Sequence, residues 1–452
     1  MRRVLIFTIV ALALMMMAVD GTIVATALDA MQHGLDTTVN WVGWTITAYA
    51  LGFVLMLPIS GKLSERYGRR RVFIGSVITF TVASLLCGLA TDIYVLIALR
   101  ALQAAGGAGF TPSATGIVVD HFGGARDRAV GLFGSIFPVG AMIGPIFGGL
   151  FVTYWTWRGV FFVNVPIGLA VIILAMRYIP HDRPTAAAAR QGMDVRGMVL
   201  LGMGVLGGML AASYLGETGT HAGSLLFVVP VVVAVVSLCG FFYHNRHTAQ
   251  PFIAPRLIHG PGFGAVNLVN MVYGGATLGA IVLIPLYAAE RYGLDALASG
   301  TLLVAEGIAA IVFSVAGTIA LRRTGYRLPL YIGGGIIVAG ILLIATPPQA
   351  GISPYVWLAC ATFLVGAGAG TVNPASRNAG LQLAVESSST LAALRSMCMQ
   401  IGTIVSVSIA TAIMAQSANP GVVQAWYYVA IAVLLVGALP IIARIPEHHG
   451  AW

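Results

Sequence analysis

The chain has 452 residues, 58% of them hydrophobic and only 9% charged, with a formal net charge of +9. A soluble domain carries roughly 25% charged residues, so water cannot be the solvent for most of this surface. Cys87, Cys239, Cys360 and Cys398 fall singly inside apolar runs at no metal or redox spacing, and read as buried free thiols.

A membrane-spanning helix needs about 20 apolar residues. Runs of that length are predicted near 4–27, 40–60, 72–91, 93–119, 129–152 and 158–179, then near 197–215 and 224–243. Six more lie near 262–288, 297–321, 328–346, 354–376, 390–415 and 424–443. Fourteen spans place both termini on one side. With the N-terminus inside, the inner segments hold Arg2, Arg3, Lys62, Arg66, Arg69, Arg70, Arg71, Arg126, Arg128, Arg177, Arg183, Arg190, Arg196, Arg246, Arg256, Arg322, Arg323, Arg327, Arg377 and Arg444. The outer segments hold only Arg158 and Arg291, while Arg100 and Arg395 fall within spans. This asymmetry is the positive-inside pattern, and it accounts for the basic balance without nucleic acid. Met1-Arg2-Arg3, the apolar run and Ala25-Thr26-Ala27 could also be read as a cleavable leader. Asp20 interrupts that run, and the later loops keep the sidedness of a retained first helix.

Two echoes relate the halves. Aligning Gly68 in GKLSERYGRRR (61–71) with Gly325 in TIALRRTGYR (318–327) also aligns Arg66 with Arg323 and Arg70 with Arg327. GGAGFTP (106–112) likewise matches GAGTVNP (368–374). The offsets are 325 − 68 = 257 and 368 − 106 = 262. The expected architecture is all-α and polytopic: a six-helix bundle over 1–179, a linker with two inserted helices and a following loop over 180–259, and a second six-helix bundle with a short tail over 260–452. Parallel repeats of this kind place a substrate site near mid-membrane at the interface between the halves.

Charges inside spans are costly and are functional candidates by default. Asp20 lies nine residues before Asp29, roughly 13 Å inward, and Arg100 eight residues after Asp92, roughly 12 Å inward. The two therefore share a depth, and protonating Asp20 would release Arg100. Glu306 lies eleven residues beyond Asp295, roughly 16 Å deep. It is a candidate for proton coupling or for recognising a cationic substrate. Its alternative is a protonated glutamate bonding a neighbouring helix. Tyr49, Gln103, Asn267 and Asn270 are candidate substrate-binding groups. Arg395, one to two turns into its span, reads as a side chain that snorkels to the interface. Met15, Met16 and Met17 read as lipid-facing or as a soft pocket lining. All nine histidines fall in predicted loops or termini, which leaves no intramembrane histidine relay.

The fifth span carries Gly140-Ala141-Met142-Ile143-Gly144-Pro145-Ile146-Phe147-Gly148-Gly149. Its small residues allow close approach of a neighbouring helix, and Pro145 bends its own helix. This string resembles the antiporter signature of the major facilitator superfamily. GKLSERYGRRR resembles that superfamily's loop between spans 2 and 3. Trp155-x-Trp157-Arg158 with Asn164-Val165-Pro166-Ile167-Gly168, and the run from Asp20 to Leu28, are similar to its fourteen-span drug/proton antiporter branch. Two positions depart from the pattern. Glu65 stands where the loop motif has Asp, and Arg100-Ala101-Leu102-Gln103-Ala104 delays its glycine to Gly106.

The resemblance implies a proton-coupled exporter of amphipathic, often cationic small molecules in a bacterial cytoplasmic membrane. It implies Gly61, Glu65, Arg66, Gly68, Arg70, Gly140, Gly144, Pro145, Gly148 and Gly149 as the conformational switch. The expected partners are substrate, protons and lipid bilayer, with the protein monomeric. No nucleic acid, nucleotide, cofactor or metal is expected; Gly61-Lys62-Leu63-Ser64 lacks the spacing of a phosphate-binding loop. A dedicated exporter of an endogenous lipid, siderophore or metabolite is the alternative. A membrane enzyme is the remote one, since the loop at 180–196 holds no nucleophile–base constellation.

Overall fold

A computed structural model of the chain describes residues 2–37, 39–181, 194–215, 223–249, 251–294, 296–349, 351–384, 387–415, 417 and 419–447. Most of the loop at 180–196, and Asp295, lie outside them. All regular structure among the described residues is helical. Among the described residues, thirteen stretches are long and apolar enough to cross a membrane, and one of them, Ile93–Tyr154, is 62 residues long.

The chain divides into two compact units: Met1–Gln191 with Val385–Leu394, and Gly192–Ala384 with Arg395–Trp452. The first contains α1 (Arg2–Ile23), α2 (Leu28–Gly34), α3 (Val39–Tyr67), α4 (Arg69–Leu89), α5 (Ile93–Gly107), α6 (Phe110–Phe122), α7 (Arg126–Tyr154), α8 (Gly159–Phe162) and α9 (Asn164–Tyr178). A 3₁₀ turn, Val24–Ala27, follows α1 directly, so the first span tightens just beyond Asp20. Gly123, at φ +49°, opens the turn between α6 and α7.

The second unit contains α10 (Val195–Leu215), α11 (Leu225–His247), α12 (Pro255–His259), α13 (Phe263–Val269), α14 (Thr277–Val282), α15 (Ile284–Tyr292), α16 (Ala296–Thr324), α17 (Arg327–Ala345) and α18 (Pro354–Leu383). It also takes α20 (Pro420–Ile442) and most of α19 (Ser388–Ala415). A π-helical turn, Asn270–Ala276, joins α13 to α14. α10 and α11 pack closely because Gly207 meets the Pro230 carbonyl and the Ala234 backbone. α11 runs on to His247, which carries His244 into the helix rather than the loop expected for it.

Leu226, Val236, Ile173 and Val433 turn more than half of their surface outward. A lipid solvent gives helices no hydrophobic drive to associate, so close packing and buried hydrogen bonds must hold them. Of the four cysteines, only Cys87 is buried; Cys239 and Cys360 are exposed and Cys398 is partly so, against the expectation that all four are buried.

The internal repeat extends well beyond the two echoes. Gly106 packs on the backbone of Ser76 and Phe80, and Gly368 on that of Gly333 and Ile337. The partners keep the first offset, because 333 − 76 and 337 − 80 are both 257. Gly68 and Gly325 both take positive φ, +99° and +68°, just before α4 and α17. Arg70 donates to the Met176 carbonyl at the end of α9, and Arg327 to the Ile445 carbonyl beyond α20. Gly140 meets Ala18 and Gly144 meets Thr22, while Gly402 meets Gly275 and Gly279 meets Ser406. These pairs also keep offsets of 262 and 257.

Candidate functional site

Asp20 and Arg100 touch. Arg100 Nη1 donates to Asp20 Oδ2 at 2.9 Å, and the two residues are 0% and 1% exposed. α1 brings the carboxylate and α5 the guanidinium. Gln103, one turn after Arg100 on the same face of α5, donates through Nε2 to Asp20 Oδ1 at 2.8 Å and to Ser84 Oγ of α4 at 2.7 Å. Asn164, the first residue of α9, donates through Nδ2 to the same Oδ1 at 2.8 Å. Arg100 Nη1 also donates to Gln103 Oε1 at 2.5 Å. The Tyr49 ring of α3 lies over the guanidinium, 4.1 Å from its carbon, and Phe161 of α8 lies 5.7 Å from it.

Asp20 accepts from Arg100, Gln103 and Asn164, so three side-chain donors converge on its carboxyl group. Net charge within the cluster is zero. Removing one charge of a buried pair leaves the other uncompensated, at a cost of about 3–5 kcal/mol. A proton on Asp20 does the same to Arg100.

The second half has no such cluster at the repeat-related positions. Adding 257 to Asp20 gives Thr277, and adding 262 to Arg100 and Gln103 gives Thr362 and Val365. Thr362 bonds backbone carbonyls of Leu302 and Ala359. The polar site is thus an addition to the repeat and not a consequence of it.

Glu306 belongs to α16. Its backbone oxygen packs against Gly366 of α18, and no hydrogen bond or ion pair to its carboxylate is present among the described residues. It stands at the repeat position of Tyr49, since 306 − 49 = 257. Asn267 donates to the carbonyls of Leu257 and Ile258, so its amide tethers α13 to α12. Asn270 opens the π-helical turn and donates to Val266 of its own helix, leaving its Oδ1 buried without a partner. The structure brings Tyr49 and Gln103 to Asp20 and gives these two asparagines local roles.

The small residues of α7 face α1. A Cβ on Gly140, Gly144 or Gly148 would meet Ala18, Thr22 or Thr26 and the adjoining α1 backbone. Gly149 faces open space, and only the first three belong to the stripe. Pro145 falls within α7, and its side chain lies outside the described residues.

At the end of α3, Gly61 packs on Ser389, Thr390 and Ala393. Ser64 Oγ donates to Ser389 Oγ at 3.3 Å, and Glu65 Oε1 accepts from the Thr390 backbone N–H at 3.0 Å. Glu65 thus caps the free N–H groups that open α19, where an anion is favoured. Arg66 lies over the Tyr67 ring, Arg69 pairs with Asp120, and Arg70 meets His181 at 2.6 Å.

Three residues outside the expected set complete the site. Asn164 and Phe161 hold Asp20 and Arg100, and Ser84 orients Gln103. Asn164 stood in a motif quoted for its likeness alone, and nothing in its own spacing pointed to a carboxylate.

The family model described as Major Facilitator Superfamily matches residues 10–407. The Multidrug resistance protein B homolog of Mycobacterium tuberculosis is 31% identical over 337 residues, 74% of this chain and 60% of that protein. The chain thus spans about three-fifths of the length of that relative. The Methylenomycin A resistance protein of Streptomyces coelicolor is 28% identical over 456 residues, 98% of this chain and 93% of that one. The fold is shared with the proton:xylose symporter XylE, with a TM-score of 0.68 and 12% identity over 99% of this chain and 97% of that one. Matched by that family model along most of its length, with all regular structure among its described residues helical, the chain belongs to the major facilitator superfamily.

Proposed function

We propose that the protein is a proton-coupled antiporter that exports amphipathic, often cationic small molecules by alternating access. The observation that carries this reading is the buried Asp20–Arg100 pair with its ring of donors, which supplies a protonation event coupled to helix packing. The names of the relatives, multidrug and methylenomycin resistance proteins, support drug-like substrates.

The proposed topology has fourteen crossings. Ile93–Tyr154 alone would be about 93 Å long at 1.5 Å per residue, three times a hydrocarbon core of roughly 30 Å. The Gly123 turn divides it into two crossings, which raises thirteen stretches to fourteen and returns both termini to the Arg-rich, cytoplasmic side. The protein acts as a monomer in a bacterial inner membrane.

In this mechanism, a proton on Asp20 frees Arg100, and the movement passes through α1 to the α7 glycine stripe. Glu65 releases the start of α19 in the same cycle. The deciding experiment uses liposomes with an imposed pH gradient and a substrate panel. Gradient-dependent uptake by the wild type and its loss in Asp20→Asn are expected. Substrate flux indifferent to the gradient would rule out the coupling.

A further inference from the structure

The Arg100 guanidinium uses one nitrogen for both of its bonds. Nη1 donates to Asp20 Oδ2 and to Gln103 Oε1, while Nε is buried without a partner. The rings of Tyr49 and Phe161 lie against it. A ring is all that such a contact requires, because the π face itself attracts a cation. Phe161 supplies it with a bare ring. Tyr49 also brings a hydroxyl, and its oxygen is buried with no hydrogen-bond partner. That oxygen lies beside Gly107, one turn beyond Gln103 on α5, where a Cβ would stand 3.6 Å from it. Burying an unpaired hydroxyl is destabilising, and phenylalanine would cover the guanidinium without it.

The neighbours of Asp20 differ in what they can do with a proton. Gln103 and Asn164 hold amides, which neither take up nor release protons, and the guanidinium stays protonated. Ser84 accepts from Gln103 and gives its own proton to the Phe80 carbonyl. Cys87 of α4 feels the charges of Asp20 and Arg100 but is buried, as is the rest of the cluster. Tyr49 alone among these residues is partly exposed. Asp20 and Arg100 both act on its hydroxyl. Tyr49 therefore combines an uncommitted hydroxyl beside the carboxylate with a ring that reaches the surface.

We propose that the Tyr49 hydroxyl is the relay through which protons reach and leave Asp20. On uptake the tyrosine O–H bond breaks as an O–H bond forms on the carboxylate. The phenolic oxygen takes its replacement from a hydronium ion at the exposed side of the ring. Tyr49 is neutral before and after, and the net change is one proton moved from water to Asp20. Release runs the same steps backwards. Tyr49 thus serves the proton, not the substrate that the sequence reading gave it. The inference rests on the proton coupling proposed for Asp20 and adds the route.

The test uses the purified full-length chain, in neutral detergent and in liposomes. The carboxyl C=O infrared band that appears on acidifying the wild type and is missing from Asp20→Asn reports protonation of Asp20. A light-triggered pH jump from a caged proton gives its rate. In Tyr49→Phe, which keeps the ring, the band is expected to titrate with the wild-type midpoint. It should form at least about tenfold more slowly, because a positioned proton carrier contributes roughly 10²–10⁴-fold. A structural role would move the midpoint, whereas a relay moves the rate alone. In liposomes, gradient-driven uptake should slow while substrate exchange at equal pH on both sides keeps the wild-type rate. A midpoint shift that accounts for the slowing, equal rates in the two proteins, or loss of exchange together with uptake overturns the proposal. Tyr49→Phe should melt no lower than the wild type, since the hydroxyl has no partner to lose. A lower melting midpoint reveals a structural bond and counts against the relay. Absence of an Asp20 band at any pH refutes the proton coupling itself, and the relay with it.

Discussion

A Cβ placed on Gly144 of α7 would stand 3.0 Å from the carbonyl oxygen of Val19 in α1, the residue next to Asp20. The glycine stripe therefore packs on the helix turn that holds the buried carboxylate. A larger side chain would push α1 away from α7 without touching the donors around Asp20. Gly144→Leu is expected to abolish transport at matched membrane levels while substrate affinity persists. Loss of binding together with transport, in a protein that still elutes as a single species, would contradict this division.

Asn164 should act as a positioning residue for Asp20. Asn164→Ala removes one of the three donors and leaves the ion pair in place. A hydrogen bond to a charged group contributes roughly 1.5–3 kcal/mol. The expected result is a pH-shifted profile of gradient-driven transport with reduced activity, whereas Asp20→Asn has none. An unaltered pH profile in Asn164→Ala would mean that the amide only packs.

Glu306 is the deep carboxylate of α16 with no bonded partner among the described residues, and an anion in a low-dielectric site attracts a cation far more than it does in water. Glu306→Gln should weaken export of a cationic dye more than that of a neutral drug of similar size. Glu306→Asp should keep part of the cation activity. Equal loss for both substrates would assign Glu306 to the proton instead.

Glu65→Gln keeps an acceptor for the Thr390 N–H and loses the charge at the start of α19. A favourable charge at a helix N-terminus contributes about 0.3–1 kcal/mol, up to about 2 when partly buried. Glu65→Ala should therefore impair transport more than Glu65→Gln, with both proteins retaining the wild-type melting profile to within a few degrees. If the two variants behave alike, the charge rather than the hydrogen bond is what matters.

Asp194 ties α10 to α11 and to the following loop. It accepts from His244 Nε2 at 2.7 Å and from the Gly197 and Phe252 backbone N–H groups. Burial works against its charge, but these donors outweigh burial and hold its carboxyl below the usual carboxylate range. A depressed folded-state pKa contributes stability above the unfolded value, and that contribution is lost as pH falls through the folded one. Asp194→Asn should thus lower the thermal midpoint at pH 7, and the gap to wild type should shrink below about pH 4. A gap independent of pH would show that only neutral hydrogen bonds are involved.

Much of this was legible in the sequence because a membrane simplifies the code. Apolar runs, arginine sidedness and two short echoes lead to the helices and the repeat. Depth arithmetic from Asp29 and Asp92 brings Asp20 and Arg100 to one level, and the structure has them bonded. What sequence could not supply was direction. Asn164 sits at a helix start, where a polar residue is unremarkable, and its link to Asp20 requires α9 to cross α1 at that height. Gly149 reads like its neighbours but points away from α1. Arg377 reads as a loop residue because the predicted span stops at 376 whereas α18 runs on to Leu383, and Arg395, already inside its span, turns to Asn373 where snorkelling to the interface was expected.

The repeat pairs Gly144 with Thr22 in one half and Ser406 with Gly279 in the other, so the bulk has changed sides. What each crossing specifies is a combined thickness, not a glycine on a given helix. Two unrelated histories of substitution can reach that sum, and a scan of single positions would misjudge both as intolerant. Moving the hydroxyl-bearing residue from α1 to α7, by pairing Thr22→Gly with Gly144→Ser, should restore a crossing that Gly144→Ser alone disturbs, with recovered transport as the measure.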